Sequence, residues 1–199
     1  MRVLVIGATG TIGRAVVEAL TGRHEVIAAS RQRAGLKVDL TNADSIRAMF
    51  QATGPVDAVV CAAGEARFAP LSKLSDDDFK FSLTSKLMGQ VNVVRVGFEF
   101  VRDRGSLTVT SGILARTPMS GSAAVSLVNA GLEGFVRAAA GEAPRGLRVN
   151  VVSPPWLTET LQALGMDPAP GQPAAAVAQL YVRSVEGNQT GITFEMPER

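Results

Sequence analysis

Val3-Leu4-Val5-Ile6-Gly7-Ala8-Thr9-Gly10-Thr11-Ile12-Gly13 carries the junction on which the fold turns. An unbroken apolar run stops at a glycine, and a helical pattern near 11–22 follows. Glycines at such a junction allow a tight turn. They also let backbone N–H groups approach a pyrophosphate, which then rests on the helix N-terminus. A glycine pattern alone is weak evidence. Here a strand precedes it, a helix follows it and a βαβ unit surrounds it, which is the context the chemistry needs. Gly7, Thr9, Gly10, Thr11, Ile12 and Gly13 are therefore candidate cofactor-binding residues.

The same alternation continues outward along the chain. Val3–Ile6, Glu25–Ala29, Val56–Cys61, Leu107–Thr110 and Arg148–Val152 are short runs rich in Val and Ile. Most do not alternate with polar residues, so they read as parallel strands buried on both faces. Leu36–Leu40 is a weaker sixth strand and Gly191–Glu195 a seventh. Helical patterns lie near 11–22, 42–53, 76–102, 122–143 and 173–186, with a short one near 158–164. Ser75 followed by Asp76–Asp78, and Pro173, mark two of the helix starts. Strict strand–helix alternation predicts an α/β fold, a doubly wound parallel sheet of about seven strands. Internal repeats are absent, and Asp167–Pro173 is the one linker-like stretch, so 1–199 reads as a single Rossmann-type domain.

Composition narrows the partners. The chain has 199 residues, enough for one well-buried domain, with 46% hydrophobic and 19% charged residues. Net charge is only +2 and no basic cluster is interleaved with aromatics, which leaves nucleic acid without support. No apolar run approaches the length of a membrane helix. Cys61 is the single cysteine, so no internal disulfide forms and a reducing cytoplasm is expected. No His, Cys and carboxylate cluster has metal-ligand spacing, so no metal is expected.

The end of the second strand chooses between NAD and NADP. An acidic residue there would bond the ribose 2′-hydroxyl, but the segment reads Ala29-Ser30-Arg31-Gln32-Arg33. A guanidinium suits a 2′-phosphate, so Ser30 and Arg31 point to NADP(H), while Arg33 reads as a solvated loop residue.

These residues resemble the short-chain dehydrogenase/reductase family. The glycine loop is similar, with a spacing nearer to extended and atypical members. Val38-Asp39-Leu40 resembles the segment where the family places an Asp beside the adenine. Val56–Cys61 followed by Ala62-Ala63-Gly64 resembles the fourth strand and the motif at its end. Gly146–Ser153 followed by Pro154 resembles the sixth strand. The resemblance covers the whole chain. It implies NADP(H) as cofactor, bound also by Asp39, Leu40, Ala62, Ala63, Gly64 and Pro154. It further implies a small-molecule substrate, and a homodimer or homotetramer formed by the helices near 86–102 and 122–143.

The family's catalytic Tyr and Lys are not matched. Aligning Gly131-Leu132-Glu133-Gly134-Phe135 puts Val125 at the Tyr position and Asn129 at the Lys position, and the only tyrosine is Tyr181. Lys86 falls where the family has an Asn. Ser111 falls on or one residue before the catalytic Ser, with Gly112 as the competing match. A wheel through 86–102 puts Asn92, Arg95, Glu99 and Arg102 on one face and Lys86 and Gln90 on the other. Lys86 is then a candidate acid with a lowered pKa, or a stem that packs while its ammonium reaches water. Ser111 is a candidate ligand for a substrate oxygen, or a turn cap. His24 reads as an exposed turn residue and Cys61 as packing. Trp156 reads as a pocket wall or a packing residue.

The helix over 122–141 is apolar or small nearly all round, with Glu133 and Arg137 as an i,i+4 pair on one edge, which predicts a covering subunit. Two functions follow. One is an oxidoreductase transferring hydride to or from a small carbonyl or alcohol with a non-standard proton donor, Lys86 and Ser111 being its catalytic candidates. The other is a catalytically degenerate NADP(H) sensor or regulator.

Overall fold

A computed structural model describes residues 1–197. Seven strands form one sheet: β1 (Arg2–Ile6), β2 (Glu25–Ser30), β3 (Leu36–Lys37), β4 (Val56–Cys61), β5 (Val101–Thr110), β6 (Arg148–Val152) and β7 (Thr193–Phe194). Their order is β3-β2-β1-β4-β5-β6-β7, and every pairing is parallel. The chain order reverses between β1 and β4, so the crevice at their C-terminal ends is the expected ligand position.

The helices are α1 (Thr11–Leu20), α2 (Ala43–Thr53), α3 (Asp76–Ser82), α4 (Gly89–Phe100), α5 (Ala123–Glu142), α6 (Thr158–Ala163) and α7 (Ala174–Glu186). They cover both faces of the sheet, and the core divides accordingly. One cluster joins Leu4, Ile6, Val59 and Leu107 to Phe50, Val93 and Leu132 from α2, α4 and α5. The other joins Val3, Val5 and Val60 to Val16 of α1 and Val177 and Tyr181 of α7. Alternate side chains of each central strand thus enter opposite layers, which is why these strands carry no polar face.

The structure departs from the sequence reading in four places. The helix predicted over 76–102 holds a π-helical segment, Leu83–Met88, between α3 and α4. That helix stops at Phe100, because Val101 is already extended and begins β5. Register shifts between Val56 and Ala58 accompany the early start of that strand. Leu36–Leu40 shrinks to two paired residues, and Gly191–Glu195 shrinks to Thr193–Phe194. Both are outer strands with one neighbour, so pairing ends once the apolar run leaves the layer.

Candidate active site

The glycine loop is a cradle whose shape depends on missing side chains. Gly7 has φ +84°, and a Cβ there would stand 2.6 Å from the carbonyl oxygen of Ala62. A Cβ on Gly13 would stand 1.9 Å from the Gly7 carbonyl oxygen, so α1 starts directly against the loop. Gly10 caps α1 without a side-chain hydrogen bond, leaving the first turn open to an anion. The cradle fits a pyrophosphate, because this close packing of the loop on β4 and α1 sets the uncapped first turn of α1 at the crevice.

Beside it lies a cleft of about 100 Å³ that brings together Gly7, Ser30, Arg31, Asp39, Leu40, Ala63 and Gly64. Ser30 Oγ accepts from the N–H groups of Arg33 and Ala34 at 3.0 and 2.8 Å, which holds the loop that presents Arg31. Arg31 and Glu65 are 64% and 68% exposed and 4.0 Å apart. A pair so loose and solvated adds little stability, so the guanidinium is free to meet a phosphate. The Asp39 carboxyl accepts from the Thr41 N–H and hydroxyl at 3.0 and 2.8 Å, and these bonds hold its pKa below the usual carboxylate value. Thr9, Gly10, Thr11, Gly13 and Ala62 shape the loop and the strand end without lining this cleft.

A second cavity, about 270 Å³, lies at the other end of the crevice. Ile12, Lys86, Ser111, Gly112, Asn129, Pro154 and Trp156 are among its lining residues, so the two catalytic candidates, Lys86 and Ser111, both border it. The π-helical segment carries Lys86, and such segments concentrate at functional positions because they re-aim a side chain. Gly64 locks it from the other side: a Cβ there would stand 2.9 Å from Lys86 Cα. Ser82, the last residue of α3, and Ser85 accept from the N–H groups of Arg67 and Glu65, tying the loop after β4 to α3 and to this segment.

Lys86 Nζ donates to the Ser111 carbonyl at 3.2 Å, and burial draws its pKa down to about 8. One turn on, Gln90 clamps Thr110: its Oε1 accepts from the Thr110 N–H at 2.7 Å and its Nε2 donates to the carbonyl at 2.9 Å. That clamp fixes the end of β5, where Ser111 begins.

Ser111 itself turns away from the role of donor. Its Oγ donates to Glu133 Oε1 at 3.0 Å, and both side chains are buried. Sequence spacing paired Glu133 with Arg137. Instead Glu133 lies only 6% exposed against Ser111, while Arg137 is exposed. The reason is geometric, since position 133 faces the strand end rather than the edge of α5. Arg116 approaches the same carboxylate at 3.9 Å and also meets Ser153 Oγ and Glu195. Sequence spacing does not reveal this network, and its one signal is an acid among the small residues of 122–141.

The remaining candidates separate clearly. Tyr181 is buried on the α7 side of the sheet, its hydroxyl 2.8 Å from Thr110 Oγ1, and does not line the cavity. Burial raises its pKa. Cys61 is fully buried, with its thiol pushed up to about 12. His24, expected in solvent, instead has a largely covered side chain and meets Glu186 Oε1 at 2.8 Å. Among the described residues no group of three or more His, Cys, Asp or Glu side chains could hold a metal, and no helix is long and apolar enough to cross a membrane.

Comparison with known proteins supports the fold and points to one family. The family described as enoyl-(acyl carrier protein) reductase matches residues 9–189. Among curated proteins, the 3-oxoacyl-[acyl-carrier-protein] reductase FabG of Salmonella typhimurium is 28% identical over 94% of this chain and 84% of its own. Among solved structures, the protein lin1944 from Listeria innocua is 41% identical with a TM-score of 0.95, covering 99% of this chain and 100% of that one. A small-chain dehydrogenase in complex with NADPH shares the fold at 24% identity, with a TM-score of 0.86 over 98% of this chain and 96% of that one.

Proposed function

The chain belongs to the short-chain dehydrogenase/reductase family, and on that premise we propose that it is an NADP(H)-dependent oxidoreductase for a small carbonyl or alcohol, with Lys86 as its proton donor. The observation that carries this reading is the setting of Lys86. Its ammonium borders the second cavity, is anchored to the Ser111 carbonyl, and has no ion-pair partner among the described residues.

When bound, NADPH supplies the hydride. The cradle from Gly7 to Gly13 would hold the pyrophosphate, Arg31 and Ser30 would meet the 2′-phosphate, and Asp39, Leu40 and the Ala62–Gly64 backbone would flank the adenosine. Pro154 and Trp156 wall the reacting end and exclude water. Lys86 holds a proton at Nζ for the substrate oxygen. With a pKa of about 8 it is mostly charged at neutral pH yet releases a proton far more readily than an ordinary lysine. Reduction should therefore slow as pH rises through about 8. Ser111 contributes through its carbonyl, which positions Nζ.

The test is NADPH oxidation across a panel of small carbonyls. Lys86→Met should lower turnover by about 10²–10⁴-fold while NADPH still binds. A second reading, an NADP(H)-binding regulator, is favoured by Val125 and by the commitment of the Ser111 hydroxyl to Glu133. Tight NADPH binding with no turnover on any carbonyl would select it.

A second copy of the chain completes the proposal, covering the outer faces of α4 and α5, with Met88, just ahead of α4, and Leu127 on α5 41% and 48% exposed. Light scattering at micromolar concentration should show a dimer or tetramer, and a monomer would end this part of the reading. A cytoplasmic location goes with it, since a lone buried thiol suits a reducing compartment.

A further inference from the structure

We propose that the second cavity takes a 2-oxo acid, whose carboxylate is held by the Lys86 ammonium beside the carbonyl oxygen that the same ammonium protonates. The proposal rests on the oxidoreductase reading above and names its substrate class. Of the residues that line the cavity, Lys86 alone is charged. Its stem lies against Gly64, where a Cβ would stand 3.3 Å from both Lys86 Cβ and Cγ. Its Nζ reaches the carbonyl of Ser111, itself a lining residue. The part of Lys86 that borders the cavity is therefore the ammonium, and the residue is only partly buried. No carboxylate of the described residues pairs with it. Glu133 is turned to Ser111 Oγ and Arg116, and Glu65 to Arg31 in solvent.

An ammonium has three protons and the Ser111 carbonyl takes one, so two remain. Two further donors share the wall. Trp156 Nε1 and Thr160 Oγ1 make no hydrogen bond among the described residues, and neither is among the buried atoms closed to water. A cavity with one unpaired cation, further donors and no acid is complementary to an anion. That anion must carry its reacting carbonyl next to its charge, because one ammonium serves both. In a 2-oxo acid the carbonyl oxygen and a carboxylate oxygen lie side by side, and each accepts one of the spare protons of Nζ. Burial has already stripped the ammonium of water, as its pKa of about 8 reflects, so the carboxylate alone has water to lose on binding. Ile12, Ile113, Leu114 and Leu157 line the same cavity and suit an aliphatic tail. In the reaction the oxo carbon takes the hydride of NADPH and its oxygen takes the Nζ proton, leaving a 2-hydroxy acid and NADP⁺. A proton from solvent then restores Lys86.

2-Oxoisocaproate and methyl isobutyl ketone differ only in a carboxylate against a methyl group. NADP⁺ is titrated into the protein by calorimetry first, and each compound is then titrated into the NADP⁺-saturated protein. The oxo acid should bind about 10- to 100-fold tighter, the range for one charge-assisted bond. In Lys86→Met the gap should close to within about threefold with NADP⁺ affinity unchanged, and Lys86→Gln serves if the methionine variant does not fold. Equal binding of the two compounds, or binding of neither, overturns the proposal. So does a preference that survives in Lys86→Met, because the charge of the oxidised nicotinamide then supplies it. A Lys86→Met variant that weakens NADP⁺ overturns it as well, since the ammonium then serves the cofactor. NADPH oxidation by the ketone with none by the acid overturns the substrate class and leaves the oxidoreductase reading standing. Failure of NADP⁺ itself to bind overturns both.

Discussion

Replacing Lys86 with Met should stabilise the fold at neutral pH while removing the proposed proton donor. Burial draws the ammonium from an ordinary 10.5 down to about 8. Between those values the unfolded chain still holds a proton that the folded chain has released, so stability rises with pH across that window. Below about pH 8 the folded protein carries the full penalty of a desolvated charge. That penalty is about 3 kcal/mol, at about 1.4 kcal/mol per pH unit. Methionine matches the stem but forfeits the bond to the Ser111 carbonyl, which returns about 1 kcal/mol to the wild type. The net gain is then about 2 kcal/mol at neutral pH, falling to near zero by about pH 10. Urea unfolding of both proteins at these two pH values measures it, and in a domain of this size the midpoint temperature should rise by about 4–8 °C at neutral pH. A variant less stable than wild type at neutral pH, or a gap that does not change with pH, would mean that Lys86 carries no buried-charge penalty.

Two further variants test the frame around the site. Gly13→Ala puts a Cβ into the Gly7 carbonyl, so the loop must shift. NADPH affinity should fall by at least about tenfold and stability by about 1–3 kcal/mol, read by calorimetry and urea unfolding. Tyr181→Phe removes the hydroxyl that meets Thr110 Oγ1 in the α7 layer. It should lower stability by about 1 kcal/mol and leave kcat unchanged, since Tyr181 does not reach the cavity.

Much of this architecture was legible because it is written in local patterns. The runs at Val3–Ile6 and Val56–Cys61 lack polar alternation because both faces of those strands are covered, so they announce a parallel sheet. The glycine loop was legible because Gly7 and Gly13 are each fixed by a single steric approach. The inward face of Lys86 and Gln90 followed from helical spacing, and the contacts with Ser111 and Thr110 agree with it. What stayed hidden depends on contacts between residues far apart in the chain. Glu133 looks like half of a surface pair until β5 brings Ser111 beneath it. Arg116 reaches the same carboxylate from a loop with no periodicity. The lack of a carboxylate paired with Lys86 follows from where Glu133 and Glu65 come to rest, which no spacing encodes. The π-helical turn stayed hidden as well, because its six residues are too few for a change of period to stand out from the helical pattern on either side.

Everything proposed for this site depends on the crevice between β1 and β4 holding NADP(H) and on Arg31 recognising its 2′-phosphate. Calorimetric titration of the wild type and of Arg31→Ala with NADPH and NADH tests it most directly. The wild type should bind NADPH about 10- to 100-fold tighter than NADH, and Arg31→Ala should lose that preference by weakening NADPH alone. Failure of the wild type to bind either nucleotide, or equal binding of both, would contradict the account.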